Sequence, residues 1–527
     1  MRQFLLSGLV DRVSTVCNRR FFTAVTAHKM IRATYLGCTA AIACLAACAV
    51  GPNFKAPEAP HTSGFAPPGA IPSELGTGQS PGLPAQHFAD GQDIPGQWWT
   101  LFQSEPLNAL IERAMANSPT LEAAAAALRQ ANETLAAERG SYYPSVSGQA
   151  GVQRQKVPGA SLGAPVPSII YTLNNATLNV SYTLDAFGGI RRQVESLGAQ
   201  AEYERFALEA AYLSLTANLV TAAITEASLR AQMAATQDIA DSQRKQLDIT
   251  QRRLTVGGAS RADVLQQQAV LQSTLAALPV LRTQLAQQRN LLAAYSGALP
   301  ADYDGAEFTL DSLTLPGELP LSLPSKLVEQ RPDVREFSAL LHQATAQIGV
   351  ATANMLPQIT LSGSYGGEAT SFSNVFSPAS VVWSLAASAT QPIFKGGQLL
   401  HQRRAAVAAA EEAAANYRGT VITAFQNVSD TLHALKGDAD ALEAQSLAEQ
   451  TAAESLKLVQ VQYKSGASSY LQVLSAEQTY QTAAVALVKA KAQRYADTAA
   501  LFQALGGGWW NRADVAATTL DSRKEPL

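Results

Sequence analysis

Two periodicities divide the chain. Val264, Leu271, Leu278, Leu285 and Leu292 recur at every seventh residue, the spacing that keeps one apolar stripe facing a neighbouring helix. The residues around them are rich in Gln, Ala and Arg, and no glycine interrupts the stretch between Ala199 and Val256 or that between Ala259 and Ser296. The pattern over 219–292 therefore predicts two long helical arms, each about 35 residues or more and roughly 50 Å at the helical rise. They reverse at Val256-Gly257-Gly258-Ala259-Ser260. After Pro144 the period falls to two. Val146, Gly148, Ala150 and Val152 alternate with polar or small neighbours, as do Leu178, Val180, Tyr182 and Leu184. Ile359, Leu361, Gly363 and Tyr365 repeat the alternation, followed by Val381, Trp383, Leu385, Ala387 and Ala389. These four runs predict strands of about 8 to 10 residues with one apolar and one hydroxyl-rich face, long enough to cross a bilayer when tilted.

Both patterns occur twice. Gln462 to Leu474 repeats Arg253 to Leu265 at an offset of 209 residues (466 less 257), and Ser296-Gly297 and Leu505-Gly506 end the two copies. Ser118-Pro119 with Tyr143-Pro144 corresponds to Arg331-Pro332 with Leu356-Pro357. A period this long means two copies of one large unit, not a solenoid. The expected organisation is a signal over 1–47, a Pro- and Gly-rich extended segment over 48–97 and a first repeat over 98–300. A linker over 301–324 leads to a second repeat over 325–510 and a loose tail over 511–527. Within the repeats the strand pairs fall at about 145–186 and 358–394, and the hairpin tips at 255–263 and 464–472.

Local signals refine this plan. Leu107, Leu110, Ile111 and Ala114 mark one face of a short helix, and Trp98-Trp99 before it fit either packing on the body or a membrane interface. Glycines in Phe187-Gly188-Gly189 and Phe394-Lys395-Gly396-Gly397 mark the return from strand to helix. Pro279 should bend or break the returning arm, and the segment after Gly506 lacks an apolar period.

Four strands cannot close a barrel, because outer-membrane barrels begin at about eight. Two copies would give a filled interior and three a wall of twelve strands with room for a lumen. The fold class expected from these patterns is mainly α with membrane β: a duplicated strand pair and long coiled-coil hairpins, with the strands closed into a barrel by more than one copy of the chain.

Charge and chemistry narrow the function. A net charge of -3 with only 15% charged residues offers no basic patch for nucleic acid. The six histidines show no metal-ligand spacing, and no phosphate loop, nucleophile elbow or metalloprotease motif is present. No enzyme, metal or cofactor is expected, and any driving force must come from another protein. All four cysteines, Cys17, Cys38, Cys44 and Cys48, lie near the start. Lys29 and Arg32 precede a short apolar run from Ala33 to Ala47, which is shaped like an export signal and points to Met30 as the true start.

Leu45-Ala46-Ala47-Cys48 resembles the bacterial lipoprotein cleavage box, with Cys48 as the lipid attachment site; an uncleaved anchor or an ordinary signal is the alternative. Taken with Gly51-Pro52-Asn53-Phe54, Trp98-Trp99-Thr100-Leu101-Phe102, both tip turns and the duplicated strand-rod order, the chain resembles the TolC-like outer-membrane factors. The likeness is to the lipoprotein branch (NodT/OprM-like) of resistance-nodulation-division efflux systems, and it covers nearly the whole mature chain.

The resemblance implies a lipid-anchored homotrimer that forms a trimeric twelve-stranded β-barrel in the outer membrane and a periplasmic α-barrel. Its tips would dock on a periplasmic adaptor (membrane-fusion) protein and an inner-membrane resistance-nodulation-division pump, passing drugs or other small molecules outward. In that family the closed tip is held by tyrosine, aspartate and arginine contacts. Tyr463 and Asp263 stand at two of those positions, whereas Ser468 replaces the arginine, and Gln472 and Ser475 occupy positions that often carry an acidic ring. Candidate aperture residues are thus Asp263, Tyr463, Gln472 and Ser475. Candidate adaptor contacts are Gly257, Gly258, Ser260, Gly466 and Ser468. Asp263 is equally suited to capping a helix after Ser260, and Tyr463 to coil packing. A periplasmic coiled-coil adaptor or scaffold lipoprotein would share the anchor and rods, but it has no need of apolar strand faces.

Overall fold

Both proline-led alternating runs form paired strands. The structure, a computed structural model, describes residues 49–62, 64–76, 84–158 and 167–513. One compact unit contains Glu133–Ala199, His342–Glu412 and the N-terminal residues up to Lys55; the other contains Ala56–Asn132, Gln200–Leu341 and Ala413–Leu527. The expected signal, the Met30 start and Cys48 lie outside the described residues, as does the tail from 514 onward.

In the first unit a four-stranded antiparallel sheet has the order β3-β4-β6-β7, with β3 at Ser145–Val157, β4 at Ile169–Leu184, β6 at Gln358–Ala369 and β7 at Val381–Thr390. The strands reach 13, 16, 12 and 10 residues. All but β7 are longer than the alternation suggested, because pairing continues where the apolar pattern stops: Arg154 still faces Thr172 and Lys156 faces Ile170.

The second unit holds the core. Short helices α1 (Glu105–Asn117), α5 (Pro324–Gln330) and parts of α2 (Pro119–Arg139) and α6 (Pro332–Ala353) pack around long-helix segments. The long helices are α3 (Gly189–Thr255) and α4 (Arg261–Tyr295) in the first repeat, and α7 (Gln398–Lys464) and α8 (Tyr470–Ala504) in the second. Their lengths match in pairs, 67 residues for α3 and α7 and 35 for α4 and α8. Leu107, Leu110, Ile111 and Ala114 are all buried on α1, and Leu271, Leu278 and Leu292 of the seven-residue stripe are buried on α4. Trp98 and Trp99 are buried too, and Trp98 lies 5.4 Å from Phe502, centroid to centroid. Packing, not a membrane interface, accounts for this pair.

Three expectations need correction. The helix α4 runs through Pro279 as one element. Proline leaves the Leu275 carbonyl without its helical donor, but Thr274 and Leu278 on either side of the gap are buried, and that packing keeps the helix whole. The linker over 301–324 is part of the core, since Phe308, Leu313, Leu315 and Leu319 are buried. Its strand β5 (Glu318–Leu321) pairs in parallel with β2 (Gln86–Asp90), which pairs in turn with β1 (Glu74–Leu75). The segment after Gly506 is fixed as far as it is described. Trp509 Nε1 donates to the Gln330 carbonyl at 2.6 Å, Asn511 Nδ2 donates to the Ile94 carbonyl at 2.7 Å, and Arg512 pairs with Glu209 at 3.0 Å.

The described parts of the Pro- and Gly-rich segment from residue 56 onward, 56–62, 64–76 and 84–97, are held too. Phe65 and Ile71 pack on the core, and the buried guanidinium of Arg494 on α8 donates to the Leu75 carbonyl at 2.9 Å and to Gln86 Oε1 at 3.0 Å. The described parts of this segment wrap over their unit, the second of the two forms, tether or wrap, that its composition allows. The arginine supplies several donors to a stretch of backbone that has little side-chain chemistry of its own.

Candidate functional site

The candidate functional surfaces are the sheet and the two hairpin tips. In the sheet, register places Val146 opposite Val180, Leu178 opposite Tyr365, Gly363 opposite Leu385 and Tyr365 opposite Trp383. All lie on one face, where Trp383 is 70% and Leu385 81% exposed. The opposite face carries Ser147, Asn179, Ser362, Ser364, Ser384 and Ser388, and the hydroxyls of Ser364 and Ser384 are 2.8 Å apart across β6 and β7. Among the described residues, strands β3 and β7 each have a partner on one side only, so both edges carry unpaired backbone groups. A bare apolar face with two open edges is costly in water; lipid and a further strand at each edge would satisfy both.

Residues 50–54 lie at the foot of the sheet. Val50 N donates to the Phe187 carbonyl at 3.0 Å, just beyond β4. The buried Arg192 guanidinium donates to the Val50 carbonyl at 3.1 Å and to Asn53 Oδ1 at 2.6 Å, and Phe54 stacks on His342 at 4.4 Å. The Gly51-Pro52-Asn53-Phe54 stretch is therefore a fixed clamp beside the junction of β4 and α3.

The tips are built alike. Gly257 and Gly466 have φ of +76° and +79°, the left-handed conformation in which glycine ends a helix without strain. Gly258 N donates to the Arg253 carbonyl at 2.7 Å, and Ala467 N to the Gln462 carbonyl at 2.8 Å. Ser260 and Ser469 then cap α4 and α8. Asp263 completes the first capping box, its Oδ2 accepting from Ser260 N at 2.8 Å; Gln472 completes the second, its Oε1 accepting from Ser469 N at 2.9 Å. Two candidate aperture residues thus do the same local work, which is the capping alternative for Asp263. Ser468 donates to Gln472 Oε1 at 2.6 Å, and Ser475 is exposed one helical turn further on.

Tyr463 has different company. The Arg253 guanidinium lies over its ring at 4.5 Å, and the Tyr470 ring is 5.4 Å away. The Tyr470 hydroxyl donates to Gln267 Oε1, and Gln267 Nε2 donates to the Gln243 carbonyl at 3.2 Å. These contacts tie α7 to α3 and α8 to α4, joining the two hairpins. Arg253, Gln267 and Tyr470 were not among the residues singled out from the sequence, although Arg253 lies inside the repeated turn and Tyr470 sits where the first copy has Arg261.

Glu477, two turns along α8 from Tyr470, was missed as well. It is 4% exposed, and neither carboxylate oxygen makes a hydrogen bond of ordinary geometry. Burial pushes its carboxyl up to about 7, with the Gln267 amide opposing the shift. A carboxyl raised in the fold above its ordinary 4.5 contributes its full stability at low pH and loses it as pH rises from about 4.5 to 7. Glu477→Gln should therefore raise the thermal midpoint of detergent-solubilised protein at pH 8, by up to the order of 3 kcal/mol in stability, and leave it unchanged at pH 4.5. An equal shift at both pH values would refute the assignment.

Comparison with known proteins decides the family. The sequence pattern of the outer membrane efflux proteins matches over residues 110–298 and again over 323–507, once in each repeat. The chain belongs to the outer membrane efflux protein family. This efflux protein is 31% identical over 453 residues to the pyoverdine export outer membrane protein OpmQ of Pseudomonas aeruginosa, covering 84% of the chain and 94% of that protein. It is 29% identical over 475 residues to the antibiotic efflux pump outer membrane protein ArpC of Pseudomonas putida, covering 90% and 95%. The solved outer-membrane channel OprN superposes with a TM-score of 0.79 at 26% identity, covering 88% of the chain and all of OprN. The TolC-like, NodT/OprM-like assignment from the tip turns and strand order holds. The efflux protein is the outer-membrane component of a tripartite efflux pump, a transport protein and not a periplasmic adaptor.

Proposed function

We propose that three copies of this chain pool their sheets into one twelve-stranded barrel and their hairpins into a helical duct, through which small organic molecules leave the cell passively. The bare apolar face of β3-β4-β6-β7, with both edges unpaired, carries this proposal. Edge pairing of β7 with β3 of the next copy satisfies every strand at once, and the serine-rich face then lines a wet, weakly charged passage. Antibiotics and pyoverdine, the cargoes named for ArpC and OpmQ, are the substrates proposed.

Cys48 carries the lipid in this proposal. The clamp from Val50 to Phe54 holds the chain beside the strand-to-helix junction, so acyl chains on Cys48 would begin close to the foot of the lipid-facing sheet. The tips at Gly257, Gly258, Ser260, Gly466 and Ser468 are the proposed docking points for a periplasmic adaptor, and an inner-membrane resistance-nodulation-division pump supplies the energy. The tip contacts of Tyr463 form the proposed aperture latch, with Gln472 and Ser475 as uncharged members of the constriction.

Purified Cys48→Ser protein tests the barrel independently of the anchor. It should still require detergent and migrate as a heat-modifiable trimer. A water-soluble monomer would overturn the channel assignment.

A further inference from the structure

The connection between β6 and β7 does not rise away from the sheet. Two 3-10 turns, Phe372–Asn374 and Pro378–Ser380, fold it back on itself, and Val375 between them is only 2% exposed. Val375 N donates to the Phe372 carbonyl at 3.2 Å, and Ser377 N to the Asn374 carbonyl at 3.0 Å. The side on which the connection lies follows from Gly367. Along β6, Gly367 projects to the same side as Gly363 and Tyr365, and it is paired with Ala176 on β4 and Val381 on β7. Where a Cβ on Gly367 would sit, the Val375 carbonyl group already lies, which leaves room for no side chain, and Val375 Cγ1 is in van der Waals contact at 3.5 Å. Phe376 borders the same groove as Leu178, Tyr365 and Val381. The connection is thus a hook over the apolar face, and it holds Phe372 and Phe376 at 72% and 79% exposure.

Charge is distributed to match. From Ala369 to Phe394 no charged residue occurs. On β3 the same face continues from Ala150 and Val152 to Arg154 and Lys156. Arg154 is four residues beyond Ala150, about 13 Å at the strand rise. The hook therefore lies level with Ala150, and two cations stand farther along β3, where Lys156 pairs with the exposed Ile170. Acyl chains below and phosphate above would meet this order of groups in an anionic lipid.

The geometry points to the β6–β7 hook as a binding site for phosphorylated lipid of the outer leaflet. Phe372 and Phe376 enter the acyl layer beside the groove of Leu178, Tyr365 and Val381, and Arg154 and Lys156 take the phosphate. The hook rests on the function proposed above, in which the apolar face meets lipid, and it is continuous with that face. It would fix how deep the barrel sits, because the aromatic rings resist movement in either direction.

Spin labels on single introduced cysteines test the hook in full-length trimers reconstituted into vesicles of anionic phospholipid. Phe376→Cys, Phe372→Cys and Leu385→Cys should each collide with dissolved oxygen several-fold more, relative to a water-soluble nickel chelate, than Ala262→Cys at the exposed start of α4. If Leu385→Cys behaves as lipid-exposed while both phenylalanine positions match Ala262→Cys, the hook is refuted and the barrel stands. If Leu385→Cys also matches Ala262→Cys, the barrel falls and the hook with it. As a second measurement on unlabelled protein, Arg154→Gln with Lys156→Gln should lower co-purified phosphorylated lipid per trimer several-fold at unchanged trimer yield; unchanged lipid content would remove the phosphate contact.

Discussion

Leu385→Arg should abolish the heat-modifiable trimer, whereas Ser384→Arg, one residue earlier on β7, should leave it intact. Leu385 lies mid-strand on the apolar face opposite Gly363, with most of its surface bare. A guanidinium at the bilayer midplane of a barrel costs about 2–4 kcal/mol, and every copy in the ring bears that cost. Ser384 points to the other face and meets the Ser364 hydroxyl, where an arginine can reach water. Unheated gel migration of outer-membrane fractions reads the difference directly. Ser384→Arg should also shift the ion selectivity of single channels towards anions, because it adds a ring of positive charge to the passage. If the two substitutions behave alike, the sheet does not have one lipid face and one lumen face.

The second large effect is expected at the tips. Arg253→Ala combined with Tyr463→Ala should raise single-channel conductance in planar bilayers and admit large antibiotics from outside. The Arg253 guanidinium over the Tyr463 ring ties α3 to α7, so any opening that separates the hairpins must break this contact. At about 1 kcal/mol per copy the loss over three copies is about 3 kcal/mol, which moves the ratio of closed to open tips by about a hundred-fold. Asp263→Asn serves as the contrast. Its side chain accepts from Ser260 N in a capping box, a task asparagine can perform, so conductance should stay at the wild-type value. Higher conductance from Asp263→Asn, with none from the Arg253 and Tyr463 pair, would transfer the latch to the aspartate.

Much of the fold was legible because it rests on local periods. The seven-residue stripe, the four alternating runs and the repeated Gly-containing turn each encode an element in a few adjacent residues, and the same signals placed the strands and tips. What could not be read depends on contacts distant in sequence. Strand β5 is four residues long and contains Pro320, so its pattern does not announce a strand; it exists because β2, more than two hundred residues earlier, lies alongside it. Pro279 carries a strong local signal for a break, and buried neighbours override it. Glu477 carries no signal in the sequence, because its burial is set by which face of α8 meets its neighbours. The capping roles of Asp263 and Gln472 were half visible. Each stands three residues after a serine, yet the family position of Asp263 suggested an aperture role as well.

The matched helix lengths make the hairpins a ruler. Seven residues inserted into α3 alone would carry Arg253 about 10.5 Å along the coil axis, two turns past Tyr463. Restoring the contact requires the same insertion in α4, α7 and α8. The reach of each hairpin can therefore change only in whole heptads and in all four segments together, so variants with one altered segment should lose the tip before they lose the sheet.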